Sequence, residues 1–262
     1  MIKNYLKIAW RNLIKNKASS IINIGGLAVG MAVAMLIGLW IWDELSFNKY
    51  HQNYDHIAQV MQKKTFNGTV STGVATSLPL ETEIRKSYGS DFKHIAVTFW
   101  TGDHVLIVGD KKISYPGTYV GEELPEMISL KMLKGTRNGL KEPSSMLISQ
   151  SVAKALFGNT DPIGKSVNYD NQGSLLVSGV YQDLPTSSTF HDLAFMAPWD
   201  YFVTTQNWLK RAATDWGEDS FQIYVQIADH ADMAGVSATI KDIKLKNGGP
   251  VEAKMKPQIF LQ

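Results

Sequence analysis

Residues 21–42 read IINIGGLAVGMAVAMLIGLWIW, an apolar run of 22 residues without a charged side chain. A helix rises about 1.5 Å per residue, so this run is roughly 33 Å long as a helix. That length crosses a bilayer hydrocarbon core of about 30 Å with some tilt. Because a helix on a soluble core keeps a polar face, the sequence predicts a transmembrane helix over residues 20–42.

The charges on either side of the run predict its orientation. Two acidic residues, Asp43 and Glu44, follow it directly. The chain before it contains no acidic residue and five basic ones, Lys3, Lys7, Arg11, Lys15 and Lys17. Because basic segments stay on the cytoplasmic side, we expect a cytoplasmic N-terminus and place residues 43–262 outside.

Four residues are expected at the membrane–water interfaces. Trp40 and Trp42 end the apolar run, where an indole ring lies in the interface with its N–H near water. Trp10 and Arg11 belong to residues 1–19, in which apolar residues recur at helical spacing between basic ones. We interpret this segment as a cytoplasmic amphipathic helix on the inner leaflet. The alternative is a basic topology signal without a further role.

Small residues recur at every fourth position of the apolar run, at Gly26, Gly30, Ala34 and Gly38. Residues four apart share a helix face, and small side chains allow the backbones of two membrane helices to approach closely. The pattern therefore predicts a helix-packing face. Glycine and alanine are also common in membrane helices that lack such a role.

A cleaved signal peptide is the alternative to an anchor, because residues 32–34 read Ala-Val-Ala after a basic and then apolar start. Cleavage there would leave residues 35–42, an apolar octapeptide, at the start of the mature protein. The run is also longer than a typical signal-peptide core of about 7 to 15 residues. We therefore favour an uncleaved anchor.

The composition of residues 43–262 is that of a packed domain. The chain has no cysteine, so disulfides and thiolate metal sites are excluded. Beyond the apolar run, 21 basic residues face 24 acidic ones, a balance that does not indicate nucleic-acid binding. The chain is long enough for one large or two small domains with their own cores.

Periodicity and turn residues predict an α+β fold with mostly antiparallel strands after the one transmembrane helix. Asn67-Gly68 and residues 170–173 are typical hairpin turns, and a strand at 146–148 runs into a helix at 149–157. The remaining predictions are a helix over 79–88, a meander of strands at 95–100, 104–108 and 112–115, strands at 193–196 and 221–227, a helix over 231–246 capped by Asp229, and an extended segment over 251–261.

Three motifs suggest chemistry, and none has the required context. Residues 158–166 resemble a phosphate-binding loop, but the loop is one residue too long and lies between a helix and a strand. Ser151 and Lys154 match Ser-x-x-Lys without its partner motifs. The six histidines show no metal-site spacing. We therefore predict no catalytic, cofactor-binding or metal-binding residue.

The chain resembles the permease subunits of MacB/FtsX-type ABC transporters, which include the lipoprotein-releasing LolC and LolE. The similar segments are LKIAWRNL at 6–13, IGGLAVG at 24–30, SFNKYH at 46–51, LISQSVAKALFG at 147–158, DPIGK at 161–165 and GVYQDLP at 179–185. Asn48 stands where the family usually has Asp. The last three segments resemble the periplasmic core domain of the family.

The resemblance implies an inner-membrane permease that couples ATP hydrolysis to motion of a periplasmic domain for export or release of substrate. ATP would be bound by a cytoplasmic ABC ATPase, a separate subunit. The other implied partners are a second permease copy or half, membrane lipids and a periplasmic adaptor. Because such permeases have several membrane helices, we expect residues 43–262 to be a truncated periplasmic core domain. The alternative is a self-contained, single-pass periplasmic sensor or binding module.

Overall fold

The computed structural model describes residues 2–262 of the chain and divides it into two compact units, Met1–Phe47 and Asn48–Gln262. We call the first the helical unit and the second the β-rich domain. The helical unit consists of helix α1, Ile2–Lys15, and helix α2, Lys17–Ser46.

Asn16 separates α1 from α2, because its backbone angles, φ −107° and ψ 58°, are not helical. Hydrogen bonds continue across it: the Asn16 N–H donates to Asn12 over 3.1 Å, and the Ser20 N–H donates to Asn16 over 2.9 Å. Within the described part of the chain, α2 is the one helix long and apolar enough to cross a membrane. Its 30 residues extend beyond the predicted span at both ends.

The β-rich domain contains thirteen strands and eight helices. The strands are β1 Ile57–Phe66, β2 Thr69–Gly73, β3 Thr76–Ser77, β4 Phe92–Thr98, β5 Gly102–Val108, β6 Lys111–Val120, β7 Met132–Gly135, β8 Ser145–Ser149, β9 Ser166–Tyr169, β10 Gly173–Tyr181, β11 Phe195–Pro198, β12 Asp219–Ile227 and β13 Gln258–Leu261. The helices are α3 Leu78–Tyr88, α4 Leu124–Met127, α5 Gln150–Phe157, α6 Trp199–Thr205, α7 Leu209–Ala212, α8 Met233–Ile240, α9 Ile243–Asn247 and α10 Gly249–Lys254. Short 3-10 turns lie at Gly89–Asp91 and Arg137–Leu140.

Six strands close into a barrel in the order β6-β11-β8-β10-β9-β5, with β5 pairing back to β6. Residues 99–218 form this barrel lobe. The pairs β8–β10 and β6–β11 are parallel, and the other pairs of the ring are antiparallel. The ring of Phe195 fills the space above its register partner Gly117, where an added Cβ would lie 2.3 Å from the ring. A side chain at position 117 would therefore force the Phe195 ring to move.

β7 pairs with the barrel strand β10. The other six strands form an antiparallel sheet in which β12 lies between β4 and β1, β3 also pairs with β12, and β1 also pairs with β2 and β13. This sheet lobe comprises residues 48–98 and 219–262, so the barrel lobe is an insertion between β4 and β12. β12 is buried on both faces. Its Ile223 and Val225 lie in one core cluster against α3 and α8, whereas Tyr224 lies in a second cluster, which faces α4 and residues 184–196.

Most predicted elements are confirmed, including the Asn67-Gly68 hairpin, the strand and helix at 145–157, and the predominance of antiparallel pairs. The predicted meander is confirmed only between its last two strands, β5 and β6, which pair antiparallel. Its first strand is wrong, because β4 pairs with β12 and meets β6 only at Thr98–Val120. The predicted 231–246 helix is capped by Asp232, not Asp229, and is broken after Ile240. The break arises because the Lys241 carbonyl accepts the Ile259 N–H of β13 over 2.9 Å.

The closing segment is extended only over β13. The preceding residues form α10, because Gly249 adopts φ +77° and Pro250 then lies in the first turn of the helix, where proline is favourable. The expectation of an extended segment from residue 251 onward is therefore wrong for residues 251–254.

Candidate functional site

The four predicted membrane-interface residues lie on two helices, and their own side chains are exposed. Trp10 and Arg11 are on α1, and Trp40 and Trp42 are at the end of α2. Their interfacial position stays a prediction.

The helix-packing face also stays a prediction. Its small residues are not covered by other parts of the described chain. No residue of α2 is buried, and a Cβ added to Gly26, Gly30 or Gly38 would meet nothing within 4 Å. The band that these residues form with Ala34 is therefore accessible along its length.

The segment directly after α2 is hydrogen-bonded to a loop between β10 and β11. The Asn48 N–H donates to the Ser187 carbonyl over 2.7 Å. The side-chain amide of Asn48 makes two more bonds with Thr189: Nδ2 donates to Oγ1 over 2.9 Å, and Oδ1 accepts the Thr189 N–H over 2.8 Å. Asn48 has φ +62°, a left-handed conformation that Asn tolerates better than most residues.

Three residues further, the buried imidazole of His51 makes a second attachment. Its Nδ1 lies 2.6 Å from the Ile128 carbonyl, and its Nε2 lies 2.8 Å from Ser188 Oγ. A carbonyl can only accept, so Nδ1 carries the proton and Nε2 accepts from the Ser188 hydroxyl. That hydroxyl oxygen in turn accepts the Phe190 N–H over 3.1 Å. We call Asn48 and His51, with residues 187–190 and Ile128, the clamp.

The electrostatics of the clamp favour a neutral imidazole. Burial lowers the pKa of His51, and the hydrogen bond to Ile128 opposes this effect only in part. A charge at this position would be desolvated, because His51 retains only 2% of its exposed area. The neutral ring packs edge-on against Phe190, with centroids 5.8 Å apart.

The clamp loop contacts both lobes of the β-rich domain. Phe190 packs on Tyr224 of β12 with ring centroids 4.9 Å apart. A few residues later the same loop becomes β11, a strand of the barrel. Two cavities, of ≈ 130 Å³ and ≈ 250 Å³, share Thr189, Phe190 and Tyr224 as walls. A displacement of the clamp would therefore change the packing at the junction of the two lobes.

One ionic group lies within the sheet lobe, at the start of β12, and a second joins the two lobes. Asp219, the first residue of β12, accepts from Lys64 of β1 and, over 2.5 Å, from the fully buried Lys244 of α9. Burial lowers the pKa of the Lys244 ammonium, and Asp219 opposes that effect. Arg85 of α3 donates to Glu123 over 2.7 Å and so links the sheet lobe to the turn before α4.

The motifs that suggested catalysis have structural roles. Gly158 ends α5 with φ +61° and Ser166 begins β9, so the loop between them lacks the strand-to-helix context of a phosphate site. Ser151 Oγ donates to Asp183 over 2.7 Å at the N-terminus of α5. Across residues 2–262, no group of three His, Asp or Glu side chains is placed to hold a metal ion.

The family model of the MacB-like periplasmic core domain matches residues 20–243, more than four-fifths of the chain. The chain belongs to this family. The resemblance to MacB/FtsX-type permeases is thereby confirmed, and the β-rich domain is a periplasmic core domain of an ABC transporter permease. Domains of this family are membrane-associated transporter components.

Solved structures show the same fold at low sequence identity. A domain of a candidate permease from Porphyromonas gingivalis aligns with TM-score 0.65 and 18% identity, over 81% of this chain and 91% of that one. The periplasmic region of MacB from Actinobacillus actinomycetemcomitans aligns with TM-score 0.55 and 18% identity, over 78% and 87%. The extracellular domain of the transporter YknZ from Gram-positive bacteria gives 0.52 and 17%, over 78% and 99%. No curated protein matches the chain.

The sequence did not reveal the clamp as a site. Asn48 and His51 were noted only as part of the SFNKYH segment, without a role. Their partners lie about 140 residues away along the chain for Ser188 and Thr189, and 77 for Ile128. One signal was available in the sequence. Asn48 lies shortly after the predicted membrane helix, and asparagine there is typical of a turn with φ above zero.

Proposed function

We propose that this chain is the N-terminal part of a MacB/FtsX-type permease subunit that transmits motion, driven by ATP hydrolysis, to its periplasmic domain. ATP would be bound by a separate cytoplasmic ABC ATPase, and α2 would cross the inner membrane with the N-terminus in the cytoplasm. The observation that carries the proposal is the clamp directly after α2. The domain itself would transport or release substrate by changing shape, without catalysing a reaction.

Transmission requires a short and stiff connection between a moving helix and the domain. α2 ends at Ser46, and Asn48 already bonds to residues 187 and 189. One residue therefore separates the helix from the first attachment, too little chain to behave as a flexible linker. The second attachment, at His51, is buried, and buried hydrogen bonds are costly to leave unmade.

Residues 187–190, the clamp loop, would pass the motion on to both lobes of the β-rich domain. Because the loop packs on β12 through Phe190 and continues into β11, it touches the sheet lobe and the barrel lobe. A displacement of Asn48 would change the packing at the junction of the two lobes, where the two cavities lie. We propose that the lobes change their relative position during the ATP cycle.

The remaining partners follow from the same proposal. The band of Gly26, Gly30, Ala34 and Gly38 would pack against a helix of a second permease copy or half. A periplasmic adaptor would bind the periplasmic domain. Trp10, Arg11, Trp40 and Trp42 would contact membrane lipids at the two interfaces.

The test is to isolate the tagged chain with its complex from source membranes and to measure ATP hydrolysis and lobe distance together. The chain has no cysteine, so Lys112→Cys in the barrel lobe and Thr239→Cys in the sheet lobe give a single spin-label pair on this subunit. We expect ATP with vanadate to change the label distance in the parent. The double variant Asn48→Ala, His51→Ala should hydrolyse ATP while losing most of that change.

The matched control is Gln52→Ala, an exposed residue that directly follows His51, which should behave like the parent. A nucleotide-dependent distance that survives the double variant would refute the role of the clamp. A complex without ATP hydrolysis would instead favour the single-pass sensor or binding module. Thermal unfolding of each variant shows that loss of the distance change is not loss of the fold.

A further inference from the structure

Helix α1 carries its positive charge at regular spacing. Four basic residues occupy every fourth position, Lys3, Lys7, Arg11 and Lys15, and all are exposed. Residues advance about 100° per position in a helix, so successive members of this series are offset by about 40° and the four share an arc of about 120°. α1 contains no acidic residue, and no ion pair involves these four anywhere in residues 2–262.

The opposite side of α1 is apolar and equally uncovered. Tyr5, Leu6, Ala9, Trp10 and Leu13 cluster on the far arc at helical spacing. Tyr5, Leu6 and Trp10 keep about two-thirds of their side-chain area exposed, at 70%, 66% and 66%. A helix with these two faces matches the composition of interfacial helices, which bury the apolar face at the level of the acyl chains.

We propose that α1 is a binding surface for anionic phospholipid headgroups, which its four basic side chains contact while its apolar face enters the leaflet. The proposal depends on membrane insertion of α2, but not on the transmission of motion by the clamp. Hydrogen bonds through Asn16 join α1 to α2, so insertion of α2 would keep α1 beside the bilayer.

A lipid surface fits α1 better than an acidic protein surface does. The charges extend from Lys3 to Lys15, about 18 Å along the helix, and do not converge on one point. A sheet of headgroups offers negative charge along that entire length, and it simultaneously offers acyl chains to the opposite face. Lysine and arginine stems also reach from a helix at the interface to the headgroups.

The experiment places an environment-sensitive fluorophore on Ala9→Cys in the full chain, which has no other cysteine. The chain is reconstituted into vesicles of phosphatidylcholine alone, or of equal parts phosphatidylcholine and phosphatidylglycerol. We expect a blue-shifted, quencher-protected label in the anionic vesicles and a more exposed label in the neutral ones. High salt should reduce the protection, because it screens the headgroup charge.

Removal of the charges should abolish the difference between the two lipids. Near an anionic surface each basic residue strengthens binding about fivefold, so the variant with Lys3, Lys7, Arg11 and Lys15 all changed to Gln should lose docking affinity by hundreds-fold. The matched control changes four exposed lysines of the β-rich domain, Lys63, Lys93, Lys112 and Lys241, to Gln and should keep the difference. Symmetric vesicles make the result independent of orientation.

Two outcomes would overturn the proposal. Equal protection of the label in both vesicle types would reduce the basic residues to a topology signal. Protection that occurs only in the isolated complex, and not in anionic vesicles, would assign α1 to an acidic protein surface. A second label at Met31→Cys in α2 reports insertion in every sample, so a failure of insertion is distinguished from a failure of α1 to bind lipid.

Discussion

Helix α2 and strand β12 are both mostly apolar, yet α2 has no buried residue in this chain and β12 is buried on both faces. The difference lies in the backbone. A helix satisfies its own N–H and C=O groups, so α2 needs only an apolar solvent around it. β12 can satisfy its backbone only with β1 and β4 on its two sides. Both segments are apolar enough to avoid water, but only the helix can do so without neighbouring protein strands, because its backbone hydrogen bonds are internal.

The largest expected effect separates the two environments. Phe195→Ala should lower the free energy of unfolding of the β-rich domain by about 3–5 kcal/mol, because it empties the space above Gly117 in the barrel. Leu39→Ala removes an exposed side chain of α2 and should leave that domain unchanged. Denaturant unfolding of the full chain in detergent, followed by near-ultraviolet circular dichroism, measures both. Equal destabilisation by the two changes would contradict the comparison.

The clamp should make the stability of the β-rich domain depend on pH. Because burial lowers the pKa of His51 below its ordinary value of 6.5, the unfolded chain binds a proton more readily than the folded one. Stability should therefore be complete above about pH 6.5 and fall as the pH drops toward the folded-state pKa, by at most about 1.4 kcal/mol per pH unit. α2 contains no histidine, so no comparable pH dependence is expected from it.

The measurement is the unfolding midpoint of the full chain between pH 5 and pH 8, compared with His51→Gln. The variant should be less stable at neutral pH and should show a smaller loss on acidification. Parallel pH profiles for the two proteins would show that another group is responsible. His56, which is partly exposed and lies outside the clamp, provides the matched control as His56→Gln.

Local rules predicted the elements well and their tertiary partners poorly. The Asn67-Gly68 turn and the end of α5 at Gly158 depend on neighbouring residues, so the sequence contains their cause. The attachment of His51 to Ile128, the closure of the barrel by β11 and the break after Ile240 depend on residues far along the chain. For the same reason α2 could be predicted from composition alone, since a continuous apolar run needs no distant residue to form a helix.

Asn48 tests how specific the clamp is. Asn48→Ala removes both bonds to Thr189 and places Ala at φ +62°, so it should cost the β-rich domain about 1 kcal/mol. Asn48→Asp should cost less than about 0.5 kcal/mol, because one carboxylate oxygen still accepts the Thr189 N–H and the other can accept the Thr189 hydroxyl. Thermal unfolding of the two variants in the full chain compares them. A strongly destabilised Asp variant would mean that the amide N–H itself is required.

The smallest effect on the β-rich domain belongs to the helix-packing face of α2. Nothing lies within 4 Å of a Cβ at Gly30, so Gly30→Leu should leave the folding of this chain unchanged. It should still weaken assembly with partner helices, since a bulky side chain keeps two backbones apart. Ala32→Leu adds the same kind of bulk about 200° around the helix and is the matched control. Crosslinking yields in native membranes, lowered by the first change and not by the second, would assign the partner to the small-residue face; equal yields would leave α2 an anchor without a preferred side.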